Sequence, residues 1–588
     1  MRILVTDAHE LAGLGAVRSL GRAGHSVIAA YPEGLPRPAS TYSRYCRACR
    51  THPDPWLSQA RFSHWLIDSA AGVDLVLPIT EAAILASSSC RAQLPPAAAL
   101  VAPTAESLEY TLSKRRATAR ALALGIPCPR TAFSREELSR LTSPYVVRTD
   151  NRLLSDGAYR KGRNWYVEDF AELLDLLGEL TDNGEQWLVQ EHIVGRGTGA
   201  FLLRWRGETL LEFAHDRIHE VPFYGGVSSL RKSVRDAALT AAGAKLLGGI
   251  GYDGAAMVEF RRSHLDQVPY FVEINGRLWG SLALALHAGA DFPARLIDCY
   301  AGSPARRAST DYAAGIYCRN VYPGELDYLR SVLSASGPVH GVHPPRRLKA
   351  VMEFFTLFFR PHVHYDYFWM RDPLPWLWYG IRSCGRLVRS RWSRWRRGAR
   401  QRALLRDLAR WQRPAPPDLR KVLFLCYGNI CRSAFAGAYW NQLSGAPPAQ
   451  SAGFYPHGNR RTPWRICRLS QALGVELDAH RSRVIDATTI ERATAIFVMD
   501  GENLEDLLSG FPRSREKAWL LGSFRGGGAI RDPYLLPEAQ ASESLRQVKE
   551  SIDALLGGAA SAPHAGAAAA GRHSRGAASE GAAHQRSV

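Results

Sequence analysis

A cysteine and an arginine six positions apart lie between an apolar run and a helical pattern in the last third of the chain. Residues 421–425, Lys-Val-Leu-Phe-Leu, are typical of a buried strand, and the segment from Ser433 onward is typical of a helix start. In such a turn the backbone N–H groups point inward, and the helix N-terminus adds a field that favours anions. A cysteine at the base of this cradle is stabilised as a nucleophilic thiolate, and an arginine can donate to two phosphoryl oxygens. The spacing therefore indicates phosphoryl-transfer chemistry at Cys426 and Arg432.

The residues around this pair have the types that such a loop needs. Gly428 and Asn429 tolerate the positive φ angles of a tight anion-binding loop. Ser433 is placed to hydrogen-bond the thiolate when the sulfur acts as a leaving group. The complete predicted phosphate loop consists of Tyr427, Gly428, Asn429, Ile430, Cys431 and Ser433.

The whole string Cys-x-Gly-Asn-Ile-Cys-Arg-Ser resembles the low-molecular-weight protein-tyrosine phosphatase family, and further matching segments follow in the family's order at 451–453, 480–483, 499–503 and 532–534. The resemblance implies hydrolysis of a phosphotyrosine protein or a small aryl phosphate through a phosphocysteine, without any cofactor. It assigns Asp532 as the general acid of the first step and the base of the second, and Tyr534 as one wall of the substrate slot. Two positions depart from the family pattern: Ala434 replaces a common proline, and Leu535 replaces a second aromatic residue.

Arsenate reduction is an alternative for this domain, because thiol-coupled arsenate reductases have the same fold and a similar loop. Those enzymes need two further cysteines that relay a disulfide. After Cys431 this region offers only Cys467, so the sequence disfavours arsenate reduction. Cys431 lies close enough along the chain to form a reversible, protective disulfide with Cys426.

A second set of candidate residues lies on two predicted strands near residues 254–261 and 270–274. Side chains alternate along a strand, so Glu273, Asn275 and Arg277 share one face. Glu259 on the neighbouring strand can complete a set of hard oxygen ligands for Mg²⁺ that carries nucleotide phosphates. The other interpretation is a pair of edge strands with solvated acids, but the amide and arginine on the same face favour a phosphate site.

This arrangement resembles the ATP-grasp superfamily, whose ligases hold magnesium with two glutamates and an asparagine. The resemblance implies binding of ATP and Mg²⁺, with two ions possible, and activation of an unknown carboxylate as an acyl phosphate for attack by an unknown nucleophile. It assigns Glu259, Glu273 and Asn275 to the metal, and Arg217 and Arg277 to phosphate or substrate. The predicted ATP-binding residues are Lys114, Arg148, Gln190, Glu191 and Ile193.

The ATP-grasp pattern is incomplete at three places. Arg148 stands where a lysine is usual, Gly197 stands where many members carry a ribose-binding acid, and the loop 155–162 has few glycines. A catalytically degenerate nucleotide-binding module that regulates the phosphatase is therefore the alternative to an active ligase.

The pattern of strands and helices around these residues predicts an α/β protein. A chain of 588 residues is too long for one hydrophobic core, so several domains are expected. Apolar runs near residues 3–5, 27–30 and 75–79 alternate with helical patterns and indicate a Rossmann-like unit. A phosphatase domain with a four-stranded parallel sheet flanked by helices is expected to follow. The predicted regions are 1–110 (Rossmann-like, before the ATP-grasp domain), 111–310 (ATP-grasp, α+β), 311–380 (aromatic-rich extension), 381–420 (basic helix and Pro-rich linker), 421–556 (phosphatase) and 557–588 (disordered Ala/Gly/Ser tail).

The net charge of +19 favours anionic partners such as phosphates, lipid headgroups or nucleic acid. Between Ile381 and Arg413 lie twelve arginines, and one apolar stripe follows helical spacing. The stripe either packs on the protein's own surface or lies on an anionic membrane with its tryptophans at the headgroups. Nucleic acid is not expected, because no known nucleic-acid fold accompanies the charge. The stripe residues are Ile381, Cys384, Val388, Trp392, Trp395 and Ala399.

The sequence also predicts a cytoplasmic location, peripheral to the membrane if residues 381–413 bind lipid. The N-terminus is typical of a first strand, because its apolar run is too short for a signal peptide. The chain contains no run of about eighteen apolar residues that would span a bilayer. Its scattered cysteines suit a reducing compartment.

Overall fold

The computed structural model describes residues 1–155, 157–302, 311–385, 392, 399, 418–443 and 445–560. The chain divides into two compact units, Met1–Ser390 and Arg391–Val588. The predicted α/β class is confirmed, because parallel sheets and antiparallel sheets are both present with helices between their strands.

The first unit begins with a parallel five-stranded sheet in the order β3-β2-β1-β4-β5. The apolar run from Ile3 to Val5 forms its central strand and is fully buried, because helices cover both faces of such a sheet. The strands are β1 (Arg2–Val5), β2 (Ser26–Pro32), β3 (Cys46–His52), β4 (Leu75–Leu77) and β5 (Ala99–Leu100), and the helices are α1 (Leu11–Arg22), α2 (Gln59–Ser69), α3 (Glu81–Ser89) and α4 (Ala105–Leu112).

A small antiparallel sheet in the order β10-β7-β11-β6 follows, together with a two-stranded hairpin of β8 and β9. Helix α6 packs its buried leucines on this sheet. The strands are β6 (Thr131–Ala132), β7 (Tyr145–Thr149), β8 (Arg152–Leu153), β9 (Tyr159–Arg160), β10 (Asn164–Val167) and β11 (Trp187–Glu191), and the helices are α5 (Lys114–Ala123) and α6 (Phe170–Asp182).

The largest sheet of the first unit has seven strands in the order β16-β15-β12-β13-β14-β17-β18, and only its last pair is parallel. Its strands are β12 (Gly195–Trp205), β13 (Glu208–Val221), β14 (Val227–Val234), β15 (Gly254–Ser263), β16 (Pro269–Asn275), β17 (Tyr317–Arg319) and β18 (Val363–Tyr365). The helices are α7 (Ala237–Gly249), α8 (Leu282–His287), α9 (Phe292–Tyr300), α10 (Leu326–Ser334), α11 (Arg347–Thr356) and α12 over 374–385. The aromatic-rich region 311–380 therefore contributes two strands to this sheet.

The second unit contains the predicted four-stranded parallel sheet, in the order β20-β19-β21-β22, with helices around it. Strand β19 is completely buried between its two neighbours, so its carboxyl end lies at the middle of the sheet edge. The strands are β19 (Val422–Cys426), β20 (Ala449–Gly453), β21 (Ala495–Val498) and β22 (Ala518–Leu520), and the helices are α13 (Arg432–Gln442), α14 (Trp464–Gln471), α15 (Ala487–Arg492), α16 (Gly501–Gly510) and α17 (Glu538–Ala560).

Part of the predicted basic stripe falls within the structure. Ile381, Cys384 and Trp392 are exposed and Ala399 is half-buried. Val388 and Trp395, the Pro-rich linker at 413–417 and residues 561–588 of the predicted tail lie outside the described residues. Among the helices that are described, none is both long enough and apolar enough to cross a bilayer.

Candidate active sites

Cys426 lies at the carboxyl end of β19, at the base of the loop that leads into α13. Its side chain is buried, and its Sγ lies 3.0 Å from the hydroxyl oxygen of Ser433. The backbone N–H of Asn429 donates to the same sulfur over 3.3 Å. Donors that point at a sulfur stabilise negative charge on it. The geometry therefore suits a thiolate nucleophile that later becomes a leaving group.

Asn429 holds the loop in shape. Its φ of +49° lies in the left-handed region, which asparagine tolerates better than most residues. Its amide nitrogen donates to the hydroxyls of Ser433 at 2.9 Å and Ser451 at 3.0 Å. Its side-chain oxygen accepts from the backbone N–H of Arg483 at 2.8 Å, and its main-chain oxygen lies 2.8 Å from Nε2 of His480. The segments 451–453 and 480–483, which the sequence left without a role, therefore fix the loop.

Arg432 begins α13, and its guanidinium is only 2% exposed. One terminal nitrogen donates to the main-chain oxygen of Ile530 at 2.8 Å and pairs with Asp500, and the other pairs with Asp532 over 3.0 Å. The role of Asp500 was not predicted, although the sequence placed this residue in a matching segment. Asp500 also accepts from the backbone N–H of Asn503 as the N-cap of α16. Because Asp500 is held at the start of α16, its pairing with Arg432 fixes the orientation of the guanidinium.

The mouth of the loop is open to solvent. Tyr427 and Tyr534 are exposed, and the side chain of Asp532 is 48% exposed. The backbone N–H of Tyr534 donates to the Asp532 carboxylate over 3.1 Å. The predicted acid and the predicted aromatic wall therefore lie side by side, with the acid between Arg432 and solvent.

Cys431 is buried beside the nucleophile and is a free thiol. Burial, with a smaller contribution from Cys426, raises the pKa of the Cys431 thiol well above its ordinary value. This thiol therefore stays protonated and packs in the core at the base of the loop.

The first unit contains a cavity of about 470 Å³ that strands of both antiparallel sheets line. The residues that the sequence assigned to nucleotide, metal and phosphate all face this one cavity, although they come from segments far apart in the chain. They are Lys114, Arg148, Gln190, Glu191, Ile193, Arg217, Glu259, Glu273, Asn275 and Arg277.

Glu259 and Glu273 lie directly opposite each other in the antiparallel register of β15 and β16. Each carboxylate is paired with an arginine: Arg217 Nη2 lies 2.6 Å from Glu259 Oε2, and Arg148 Nη2 lies 3.0 Å from Glu273 Oε2. The amide nitrogen of Asn275 donates to Glu273 Oε1 over 3.3 Å. The three predicted metal ligands are thus adjacent, and two guanidinium groups neutralise their charge.

The two carboxylates have opposite pKa shifts. Burial raises the pKa of Glu259 above its usual value, because the attraction of its arginine partner compensates only in part. Burial also acts on Glu273, but Arg148, Lys114 and Lys161 together outweigh it and lower the pKa of Glu273 to about 2. At neutral pH Glu273 is therefore an anion among three cations.

Two carboxylates and an amide oxygen form the hard donor set that Mg²⁺ prefers. In the described residues no three His, Cys, Asp or Glu side chains converge on one point, so Asn275 has to supply the third donor. The set fits Mg²⁺ if Arg148 and Arg217 turn to phosphate oxygens, for which their planar forks are suited.

The remaining predicted residues differ in how they are held. The ammonium group of Lys114 is buried and donates to the main-chain oxygen of Thr149 over 3.0 Å. Arg277 donates from Nε to a carboxylate oxygen of Glu81 over 3.3 Å. Gln190 is buried at the cavity wall. All three side chains are oriented by neighbours and therefore face the cavity in a fixed direction.

The segment from Glu191 to Ile193, at the end of β11, is held by hydrogen bonds to neighbouring residues. The Glu191 carboxylate accepts from the backbone N–H and the hydroxyl of Thr142, each at 2.9 Å. The main-chain oxygen of Ile193 accepts from Arg261 Nε over 2.9 Å. The Glu191 side chain is thus bonded to a loop, and its backbone N–H donates to the main-chain oxygen of Arg130 over 3.0 Å.

Lys161 and His215 are among the cavity residues that the sequence analysis missed. Lys161 lines the cavity and acts on Glu273, as noted above. His215 also lines it, with Nε2 2.9 Å from the Ser281 hydroxyl, and burial, aided by Arg217, lowers its pKa well below the usual value. The alternation of side chains along β13 was the available signal for His215.

Comparison with known proteins assigns the two units separately. The family model described as low molecular weight phosphotyrosine protein phosphatase matches residues 421–563. The low molecular weight phosphotyrosine protein phosphatase of Schizosaccharomyces pombe is 31% identical over 127 residues, which are 19% of this chain and 80% of that protein. A protein-arginine-phosphatase of Geobacillus stearothermophilus is 29% identical over 140 residues, 23% of this chain and 90% of that protein.

The N-terminal unit has structural similarity to solved biotin carboxylases. The biotin carboxylase domain of the Hydrogenobacter thermophilus 2-oxoglutarate carboxylase, solved with ADP, magnesium and bicarbonate, aligns with 54% of this chain and 73% of its own. The sequence identity is 15% and the TM-score is 0.44.

Proposed function

Because this chain belongs, through residues 421–563, to the low molecular weight phosphotyrosine protein phosphatase family, we propose that it hydrolyses phosphotyrosine in proteins or small aryl phosphates. The observation that carries this proposal is the Cys426 sulfur 3.0 Å from the Ser433 hydroxyl, at the base of a loop that Arg432 closes. The reaction proceeds in two steps through a phosphocysteine.

In the first step the Cys426 thiolate attacks phosphorus, the S–P bond forms and the P–O bond to the phenol breaks. Asp532 gives its proton to the leaving phenol oxygen. In the second step water attacks the phosphocysteine, Asp532 takes a proton from that water, and the sulfur leaves as a thiolate. The hydroxyl of Ser433 then donates to the departing sulfur. Atoms and charge balance with water as the only co-substrate.

Arg432 and the loop N–H groups stabilise the transferring phosphoryl group. The terminal nitrogens of Arg432 donate to the carboxylates of Asp500 and Asp532 and to the main-chain oxygen of Ile530. Its Nε is buried and has no hydrogen-bond partner among the described residues. A buried donor without a partner is costly, so a phosphoryl oxygen that accepts from Nε gains the full value of that bond.

The test uses the full-length chain with an aryl phosphate. We expect Cys426→Ser to abolish turnover while inorganic phosphate still binds, because the hydroxyl is a far weaker nucleophile than a thiolate. Cys467→Ser is the matched control, since this partly buried cysteine of α14 has no part in the mechanism. Undiminished turnover by the Cys426→Ser protein would remove Cys426 from the mechanism.

The nature of the phosphorylated group is a separate question, because one relative is named a phosphatase of arginine and another a phosphatase of tyrosine. We favour tyrosine, because the exposed rings of Tyr427 and Tyr534 offer apolar faces to a phenyl ring. A guanidinium could also stack on such rings. Peptides with either group should therefore be compared directly, and faster hydrolysis of phosphoarginine would reverse this assignment. Arsenate, offered with a thiol reductant, should give no turnover.

For the N-terminal unit we propose an ATP-grasp ligase activity that uses ATP and Mg²⁺, with one or two ions. The convergence of all ten predicted residues on one cavity supports it. A bound magnesium ion would lie at Glu259, Glu273 and Asn275 and would neutralise the nucleotide phosphates. Lys114, Arg148 and Arg277 would bind phosphate oxygens, and Arg217 would orient the anionic substrate.

In the proposed reaction a substrate carboxylate attacks the γ-phosphorus, ADP leaves, and an acyl phosphate forms. A nucleophile then displaces inorganic phosphate from the acyl carbon. The carboxylate and the nucleophile are both unidentified.

Two measurements separate an active ligase from a nucleotide sensor. Titration of the full-length protein with ATP, with and without Mg²⁺, tests binding, and ADP release with a panel of carboxylates and amines tests turnover. Binding without turnover, together with a change of phosphatase rate on adding ATP, would favour the regulatory alternative. No binding at all would rule out both.

A further inference from the structure

The region that follows β17 carries a continuous row of aromatic rings on the surface of the first unit. Successive ring centroids lie between 5.3 and 6.4 Å apart, so the row crosses from α11 to β18 and on to α12 without a break. Its members are Phe355, Phe354, Phe358, Tyr365, Phe368 and Trp376.

Large apolar side chains on both sides of this row project into solvent. Phe359, in the turn after α11, and Met370, in the turn before α12, are each 87% exposed. Leu348, Met352 and Phe355 on α11, and Leu374, Trp376, Leu377 and Ile381 on α12, are exposed as well. We call the exposed side chains of residues 346–385 the extension face. A patch of this extent is far more than the scattered apolar residues of an ordinary surface.

The charges of the extension face have one sign. The three acidic residues of the segment 346–385 all turn inward, where Glu353 contacts His219, Asp366 pairs with Arg231, and Asp372 pairs with Arg18. Its basic residues turn outward: Arg346, Arg347, Lys349, Arg360 and Arg371 are exposed. The chain then continues into residues 386–413, which hold eleven more arginines and one acidic residue, Asp407.

We propose that the extension face is a docking surface for an anionic membrane. The exposed turns at Phe359 and Met370 would insert among the lipid headgroups, and the outward arginines would contact lipid phosphates. The contact is centred on the turns at Phe359 and Met370, and it meets the stripe at 381–399 only at Ile381 and Cys384, near the end of α12.

The charge pattern selects lipid over the other partners that an apolar face can have. A second copy of this chain would bring an equally positive face to the contact, and like charges across an interface oppose association. A lipid bilayer satisfies both features at once, because it offers negative headgroups above an apolar layer. Apolar side chains on two separate turns can also insert into lipid independently, without a matching rigid groove.

The first test removes the apolar contribution. The full-length protein is sedimented with vesicles of phosphatidylglycerol mixed with phosphatidylcholine, and with vesicles of phosphatidylcholine alone. We expect binding to the anionic vesicles only, and a loss of about tenfold or more in the partition coefficient of a Phe359→Ser, Met370→Ser double variant. Leu265→Ser is the matched control, because Leu265 is 94% exposed in a turn elsewhere in the same unit and should leave binding unchanged.

The second test removes the charge contribution. Replacing Arg360 and Arg371 with glutamine should lower binding by about fivefold per arginine, since each basic residue near such a surface contributes about 1 kcal/mol. High salt should reduce binding by the parent in the same direction. Arg61→Gln is the control, because Arg61 is 71% exposed on the solvent side of α2, elsewhere in the same unit.

Three results would overturn the proposal. One is failure of the parent to bind anionic vesicles, as expected if the face binds an acidic protein instead. Another is full binding by the Phe359→Ser, Met370→Ser variant. The third is loss of binding in Trp392→Ala alone, which would assign the membrane contact to the stripe.

Discussion

The substitution Glu273→Gln tests the proposed ATP site through its charges. Arg148, Lys114 and Lys161 lower the pKa of Glu273 from 4.5 to about 2 in spite of burial. A lowered carboxyl pKa stabilises the fold above the unfolded value of about 4.5, and this stabilisation is lost only as the pH falls toward about 2. At neutral pH the contribution is therefore complete, and it should not change between about pH 5 and pH 8.

The size of the effect follows from the same pKa values. The fall from 4.5 to about 2 corresponds to about 3 kcal/mol of favourable interaction. The side chain keeps 26% of its surface in water, so we expect a loss of about 2 kcal/mol in the free energy of unfolding of the first unit. Glutamine is similar in size to glutamate but leaves Arg148 without its anion.

Calorimetry of the full-length protein can measure this loss. We expect one unfolding transition for each unit. Inorganic phosphate should raise the midpoint temperature of the phosphatase unit, so the remaining transition belongs to the first unit. ATP with Mg²⁺ should raise the midpoint temperature of the first unit in the parent by an amount that grows with ligand concentration. In the Glu273→Gln protein this Mg²⁺-dependent increase should disappear.

A matched control is Glu185→Gln, because Glu185 pairs with Arg152 and Arg163 outside the cavity. This variant can lose stability but should keep the full response to ATP with Mg²⁺. If Glu273→Gln unfolds as the parent does and still responds to magnesium, Glu273 is a solvated acid and the assignment of the metal site is wrong.

Three further predictions concern single side chains. Asp532→Asn should lower kcat for hydrolysis of an aryl phosphate by about two to four orders of magnitude in steady-state assays, because the leaving oxygen loses its proton donor. An unchanged kcat would exclude Asp532 as the acid. Burial lowers the pKa of His219, but the hydrogen-bonded carboxylate of Glu325 and the Glu353 carboxylate 3.8 Å away outweigh it and raise this pKa to about 9. The stability that these carboxylates give is complete below about pH 6.5 and is lost as the pH rises through about 9. In urea titrations the free energy of unfolding should fall between about pH 6 and pH 10 in both proteins, but by about 3 kcal/mol more in the parent than in His219→Gln. An equal fall in the two proteins would contradict this. Asn429→Gly and Asn429→Ala should both lose most phosphatase activity, because neither keeps the side-chain hydrogen bonds of the loop. Alanine should be about 1 kcal/mol less stable than glycine because of the positive φ, and equal stability would argue against strain at this position.

The sequence predicted those features that depend on neighbouring residues. The strand, loop and helix around Cys426 follow one another within about twenty residues, so local patterns were sufficient. Glu273 and Asn275 were likewise grouped by the two-residue period of a strand, whereas Arg277 lies past the end of β16 and lines the same cavity from the following turn. The fold class followed from the same alternation of strands and helices.

Contacts between distant segments were not predictable in this way. Asp500 contacts Arg432 across 68 positions, and an aspartate after a strand equally indicates an ordinary helix cap. Strand β13 has register shifts near His219, so the simple alternation that places His215 and Arg217 fails beyond them. Strands β17 and β18 have three residues each, too few for any periodic signal.

The two units solve a common electrostatic problem in different ways. A phosphate site needs buried cations, and a buried cation without a partner is costly. In the phosphatase unit Arg432 is paired with Asp500, which is fixed as a helix cap, and with Asp532, which lies at the solvent-exposed mouth. Asp532 can therefore turn to the leaving oxygen while Asp500 keeps the arginine in place.

At the proposed ATP site the two candidate metal-binding acids are placed differently. Glu259 and Glu273 lie opposite each other on adjacent strands of one sheet, so both carboxylates stay at the site when Arg217 and Arg148 turn to phosphate. Two fixed anions would then face the anionic nucleotide unless a divalent cation lies between them. The strand geometry thus explains why the proposed ligase would depend on Mg²⁺, whereas the phosphatase, with its acid on a loop, would need no metal.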